Sequence, residues 1–168
     1  YYRNVYEDRR YRAIVRHVNY TPRVIEFVTK KKNYEQAAPD HYAAFIMDCL
    51  ENPRELWKDE FTRKLGPEDR ALLLTLYSLT DTSVEEPVLV AAFLKRLSGL
   101  EGMDTTRNLY EEALRRLTDS MVQMIEQNGR KRIGVCNPSI NDFLKNYIRE
   151  NPMEQANMPA YATEYVQL

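Results

Sequence analysis

Proline placement constrains this chain more than any other feature. Six of its eight prolines, Pro22, Pro39, Pro53, Pro67, Pro87 and Pro138, stand where an apolar-periodic segment begins. Proline is tolerated at the first helical position because the N–H it lacks has no intrahelical acceptor there and its fixed φ is already helical. A chain punctuated in this way folds as a series of helices with short connections.

The periodicity between the prolines agrees. Tyr2, Val5 and Tyr6, then Tyr11, Ile14, Val15 and Val18, give a helical apolar face flanked by Arg9, Arg10, Arg12 and Arg16. Thr21-Pro22 caps the next helix, with Val24, Ile25 and Val28 inward and the basic run Lys30-Lys31-Lys32 closing it, where cations favour a helix C-terminus. That run reads as a solvated helix end. A third helix from Pro39-Asp40 carries Tyr42, Phe45, Ile46, Cys49 and Leu50. A fourth, from Asn52-Pro53 with Glu55 placed for a capping box, presents Leu56, Trp57, Phe61 and Leu65. Arg70 to Leu79 is nearly all apolar and marks the most buried helix of the second half. A polar stretch from Thr80 to Pro87 then leads to a helix with Val90, Phe93, Leu94 and Leu97 inward, and Ser98 to Asp104 is a loop.

From Thr105 to Ile148 the period changes twice. Tyr110, Ala113, Leu114 and Leu117 recur at helical spacing, with Arg107, Glu111, Glu112, Arg115 and Arg116 in the polar sectors. Met121 to Glu126 is β-prone, Gln127-Asn128-Gly129-Arg130 supplies a turn, and Lys131 to Cys136 reads as the returning strand. Asn137-Pro138 restarts a helix with Ile140, Phe143, Leu144, Tyr147 and Ile148 as its stripe. Helices followed by a β-hairpin "wing" are the signature of a winged helix. The expected fold is therefore mainly α: a multihelical unit over residues 1–65, a winged-helix unit with one β-hairpin over 66–150, and a linker or tail over 151–168 leading to a further domain.

Composition excludes several functions. No apolar run approaches membrane-spanning length and no signal peptide opens the chain, so the expectation is a cytoplasmic protein without membrane contact. The opening residue is Tyr, and Tyr1 to Arg12 reads as the middle of a larger sequence, an excised fragment. Lys plus Arg (24) nearly balances Asp plus Glu (25), so no general positive field collects nucleic acid and DNA binding is not expected. The local exception is the wing-tip cluster Arg130, Lys131 and Arg132. Cys49 and Cys136 read as small buried hydrophobes. The five glycines are scattered and form no phosphate-cradling loop, and His17 and His41 lack metal-ligand spacing. The carboxylate pairs Glu85-Glu86 and Glu111-Glu112 fall on polar surface. Self-contained catalysis is not expected.

One motif carries a function. Asn19-Tyr20-Thr21-Pro22-Arg23-Val24-Ile25-Glu26-Phe27 puts an arginine in the first turn of a proline-started helix. Such a guanidinium reaches a phosphate beside backbone N–H donors and the positive end of the helix dipole, or else pairs with a carboxylate such as Glu26.

The segment Tyr11 to Glu26 resembles the "N-x-PR-hydrophobic-IE" signature at the lid of STAND-type P-loop NTPases, in particular the third novel-STAND class of bacterial antiphage-defence and restriction-associated proteins. Glu51-Asn52-Pro53-Arg54-Glu55-Leu56-Trp57, Asp69-Arg70-Ala71-Leu72-Leu73-Leu74, Glu112-Ala113-Leu114-Arg115-Arg116-Leu117 and Asn137-Pro138-Ser139-Ile140-Asn141-Asp142-Phe143-Leu144 are similar to that family's helical and winged-helix segments, in the same order. The resemblance covers Tyr2 to Ile148. It implies that Arg23 takes the place of the AAA+ sensor-2 arginine, which touches nucleotide phosphates and couples lid position to nucleotide state. Thr21 stands where many relatives have Asn, and threonine also caps a helix. The Walker A and Walker B motifs are missing, so the resemblance implies no enzyme and no cofactor in this chain, with ATP and Mg expected in the parent protein. Partners implied are an upstream NTPase core and a downstream sensor domain, with room for oligomerisation of the parent. The alternatives are a winged-helix DNA-binding module and a structural partner-binding bundle.

Overall fold

The computed structural model describes residues 1–35, 37–99, 108–118, 120–164 and 167. Arg107 and most of the expected loop after Ser98 therefore lie outside the described residues. The chain is mainly helical with a small three-stranded antiparallel sheet, and it divides into two compact units, Tyr1–Glu60 and Phe61–Leu168.

In the first unit the expected opening helix is broken. It consists of α1 (Tyr2–Tyr6), a 3-10 turn (Glu7–Arg9) and α2 (Tyr11–Arg16), because Asp8 and Arg9 adopt left-handed φ of 51° and 59° that no helix admits. The expected apolar face does not form: Ile14 is buried, but Tyr2, Tyr6, Val15 and Val18 are exposed. What fixes α1 is polar. The buried Asn4 donates to the Asp40 carbonyl at 2.7 Å and accepts from the Ala43 N–H at 2.8 Å.

α3 (Pro22–Thr29) starts as expected, with Thr21 Oγ1 accepting the Val24 N–H at 3.3 Å. It stops at Thr29, one residue before the lysines. Lys31 and Lys32 open a short α4 (Lys31–Tyr34) instead of closing α3. A 3-10 turn (Pro39–His41) leads into α5 (Tyr42–Glu51), with Tyr42, Ala43, Ile46 and Leu50 buried. α6 (Arg54–Asp59) has Pro53 at its cap without a side-chain cap bond, so the expected Glu55 capping box is not made. A π-helical turn, Glu60–Lys64, continues it across the unit boundary.

The second unit begins with α7 (Pro67–Leu79), whose Leu72, Leu73, Leu74, Leu76 and Leu79 are all buried, as its composition demands. The stretch Ser83–Glu85, expected as a connection, is a strand, β1. It leads directly into α8 (Glu86–Leu97), whose inward face is Leu89, Ala92, Phe93 and Leu97. Leu94, expected inward, is exposed. α9 (Leu109–Leu117) precedes the hairpin β2 (Val122–Gln127) and β3 (Arg130–Val135). Asn128 and Gly129, at φ 54° and 71°, make the two-residue turn that their sequence encodes. The sheet order is β1-β3-β2, with Val84 opposite Ile133 and Met124 opposite Ile133 on its other side. β1 approaches so closely that a Cβ on Gly134 would lie 2.3 Å from the Thr82 carbonyl oxygen.

α10 (Pro138–Glu150) is capped by Asn137, which accepts the Ser139 N–H at 2.9 Å, and buries Ile140, Phe143 and Leu144. Phe143 packs edge-on and Tyr147 tilted against Phe61, at centroid distances of 5.5 and 4.7 Å. The expected linker or tail starts with a helix, α11 (Pro152–Ala160). Arg96 of α8, only 5 % exposed, pairs with Glu154 of α11, lies 3.7 Å from Met158 Sδ and stands over the Tyr161 ring.

Candidate functional site

Arg23 is the second residue of α3, and the unit holds that helix at several points. Asn19 Nδ2 donates to the Leu50 carbonyl at 2.9 Å, the Tyr42 hydroxyl donates to the Val28 carbonyl at 3.1 Å, and the buried Asn33 donates to the Phe27 carbonyl at 2.7 Å. Val24 and Val28 are buried on the inward face. The C-terminal end of α3 is thus fastened to α4 and α5, and the residues just before its start to α5, by side chain-to-backbone hydrogen bonds that its own eight residues could not replace.

Arg23 itself is held by one edge. Its Nη1 lies 3.1 Å from Glu60 Oε2, with the arginine side chain 36 % exposed and the glutamate 7 %. Among the described residues Glu60 is the sole partner of the guanidinium, whose other N–H donors make no hydrogen bond to them. Glu26, the partner that sequence spacing offers, instead pairs with Lys30 at 2.8 Å. Glu60 lies 37 positions away at the start of the π-helical turn, and no sequence signal pairs it with Arg23. The amides of the first turn are mostly committed: Pro22 has none, Val24 donates to Thr21 Oγ1 and Ile25 to the Thr21 carbonyl. The Arg23 N–H is the amide left over there among the described residues. Arg23 therefore offers an anion its guanidinium and one backbone donor. The chain approaching it bears exposed Val15, Val18 (90 %) and Tyr20.

The hairpin cations are placed differently. Arg130 Nη1 lies 2.7 Å from Glu85 Oε1, and Lys131 Nζ lies 2.8 Å from Glu86 Oε1. Arg132 donates to the Ser83 hydroxyl at 3.0 Å and to its carbonyl, with Glu85 at 3.9 Å. Along β3 Arg130 and Arg132 share one face and Lys131 lies on the other, so the cluster is divided: Glu85 of β1 stands against the two arginines and Glu86, the first residue of α8, against Lys131. The sequence shows Glu85-Glu86 as a carboxylate pair on polar surface, but not its pairing with the hairpin cations, because β1, which carries Glu85, has no signal of its own.

No family model, curated protein or solved structure matches the chain.

Among the described residues no group of His, Cys, Asp and Glu is arranged to hold a metal ion, and no helix is long and apolar enough to cross a membrane. Both cysteines are less buried than their surroundings in sequence imply. Cys49 is half-buried and Cys136 is exposed, its Sγ 3.4 Å from the Ser120 carbonyl. Burial together with the neighbouring Asp48 pushes the Cys49 thiol up to about 11, so it stays protonated and unreactive at neutral pH.

Proposed function

We propose that this chain is the lid and winged-helix region of a STAND-type NTPase of bacterial defence, a regulatory segment without catalysis of its own that passes the nucleotide state of a core to sensor and effector domains. The observation that carries the reading is Arg23. It stands at the start of a braced helix, fastened to one buried carboxylate and with most of its donors unused. A purely structural arginine tends to fill its fork from within, whereas a phosphate-reading one keeps donors for a ligand. In the parent protein the Arg23 guanidinium would meet nucleotide phosphate oxygens, with Glu60 holding it in position. The bound nucleotide and Mg would supply the hydrolytic chemistry on the core.

The second unit supports the same reading. Its order of helix, strand, two helices and hairpin, with sheet order β1-β3-β2, is compatible with a winged helix, and in this proposal it is the rigid body that follows the lid. The DNA-binding alternative is disfavoured because Glu85 and Glu86 already pair with the three hairpin cations and offset most of their charge, while Glu111 and Glu112 stand in the first turn of α9.

The test is Arg23→Ala in the parent protein and in this chain. Loss of a charge-assisted contact to phosphate weakens nucleotide binding by about 1.5–3 kcal/mol and blunts activation, beyond the stability the chain itself loses when the buried Glu60 gives up this cation. An unaltered nucleotide response together with a large loss of stability would make Arg23 a scaffold residue and remove the proposal's support. Submicromolar, salt-steep duplex binding by this chain, lost on neutralising Arg130 and Arg132, would favour the DNA-binding alternative instead.

A further inference from the structure

We propose that the outer edge of β2, with the groove between it and α9, takes an extended basic peptide as an added strand. This inference is independent of the nucleotide-sensing reading.

The hydrogen-bond alternation of the hairpin decides which backbone groups are free. The two-residue turn makes Gln127 and Arg130 a hydrogen-bonded pair, and the bond from the Cys136 N–H to the Met121 carbonyl, 3.0 Å, fixes the same phase at the other end. Gln123, Ile125 and Gln127 therefore direct their N–H and C=O groups to β3. Met124 and Glu126 direct theirs away from the sheet, and β2 is the outermost strand, so among the described residues these groups have no partner. Val122, next in the same phase, is bridged to Thr118. What remains is a short open edge of two outward-facing residues, the element to which a peptide strand adds.

Beside that edge lies an open groove of about 880 Å³, lined by Glu111, Leu114 and Arg115 of α9 together with Met124 and Lys131. Met124 is half exposed there, so the floor is apolar and partly uncovered. The charge balance selects the occupant. Lys131 is engaged by Glu86 at 2.8 Å and Glu112 lies 3.6 Å from Arg116. Glu111 and Glu126 have no cationic partner among the described residues, against Arg115 as the cation left over, so the open charge of edge and groove is net negative. Along a strand, alternate residues share a face, so Met124 and Glu126 present together. A matching peptide sets an apolar residue against Met124 and a basic one two positions on against Glu126, the cross-strand pairing that stabilises a sheet. Phosphates are excluded by the same carboxylates.

The test uses fluorescent, end-blocked peptides of sequence Thr-Leu-Thr-Lys-Thr-Lys and Thr-Leu-Thr-Glu-Thr-Glu, titrated with the whole chain and followed by anisotropy. The basic peptide is expected to bind saturably and about fivefold or more tighter than the acidic one, the ratio set by one cross-strand charge pair at Glu126 and by the Glu111 carboxylate on α9. Glu111→Lys with Glu126→Lys is expected to remove that preference. Met124→Pro deletes an outward N–H while leaving the β2–β3 bonds intact, and it is expected to abolish binding. Because that variant risks unfolding, the basic peptide N-methylated at alternate residues is the companion probe, and it is expected not to bind. Equal binding of the two peptides, undiminished binding of the N-methylated one, or no saturable binding would overturn the proposal. So would a dimer in sedimentation that dissociates on Met124→Pro, which would assign the edge to a second copy, or duplex DNA competing for the groove.

Discussion

Arg116 on α9 grips Asp69 on α7 with two nitrogens: Nε lies 2.9 and 3.1 Å from the carboxylate oxygens and Nη2 lies 2.7 Å from Oδ1. The same carboxylate accepts the Gly66 N–H at 3.2 Å, so one buried group both closes the start of α7 and fastens α9 to it. Glu68, 2.9 Å away, adds to the hold, and the hydrogen bond to Asp69 raises the pKa of the guanidinium further.

Arg116→Ala is therefore expected to destabilise the chain by about 1–3 kcal/mol, because it leaves the Asp69 carboxylate buried without its cation. Arg116→Lys is expected to recover only part of this, since an ammonium has no planar fork. Urea titrations of the three proteins make the measurement. A loss under about 0.5 kcal/mol would place the pair with ordinary surface ion pairs.

Leu74→Ala and Phe143→Ala remove side chains that are 2 % and 4 % exposed. The expected losses are about 2–5 and 3–5 kcal/mol, the cost of lost burial plus the cavity left behind. Chemical denaturation giving less than about 1 kcal/mol for either would place it outside the core.

Stability is expected to fall in alkali. Burial raises the Cys49 thiol from 9.0 to about 11 and raises the hydroxyls of Tyr42, Tyr77, Tyr110 and Tyr147 above 10.0, with Glu86 adding to the effect at Tyr110. These groups hold their protons longer folded than unfolded. Their contribution is therefore complete below pH 9 and is lost as pH rises through the folded values. Melting temperatures between pH 8 and 11 report it. For Cys49 the decline begins near pH 9, and Cys49→Ser is expected to lessen it. A flat profile would contradict the burial of these side chains.

Glu154→Gln is expected to loosen α11 without unfolding the rest of the second unit. Arg96 keeps Met158 and the Tyr161 ring but loses its counter-charge while almost fully buried. Limited proteolysis is expected to cut after Glu150 sooner in the variant than in the parent chain. Unchanged cleavage would show that the ion pair does not hold the helix.

Helix positions and the hairpin were legible because proline, Asn and Gly act locally: Pro22, Pro67, Pro138 and the Asn128-Gly129 turn each obey a constraint within a few residues. Contacts distant in the chain were not. β1 is three residues with no alternation to detect, and it exists because β3 offers it a ladder. The opening segment misled because its tyrosines and valines fit a helical period, while Asp8 and Arg9 turn the backbone and Asn4 does the anchoring. At the candidate site the motif announced Arg23 and its cap. Glu60, on which the arginine's orientation depends, is paired through tertiary structure alone.

Gly134 gives the hairpin an evolutionary lever. Any side chain there would strike the Thr82 carbonyl, and β1 would have to withdraw. With it would go Glu85 and Ser83, the groups now occupying Arg130 and Arg132. A single substitution at a position with no charge of its own would then unmask two cations at the hairpin. The electrostatic character of this surface is thus inherited through the absence of one methyl group, and lineages that differ at position 134 would be expected to differ in what their hairpin attracts.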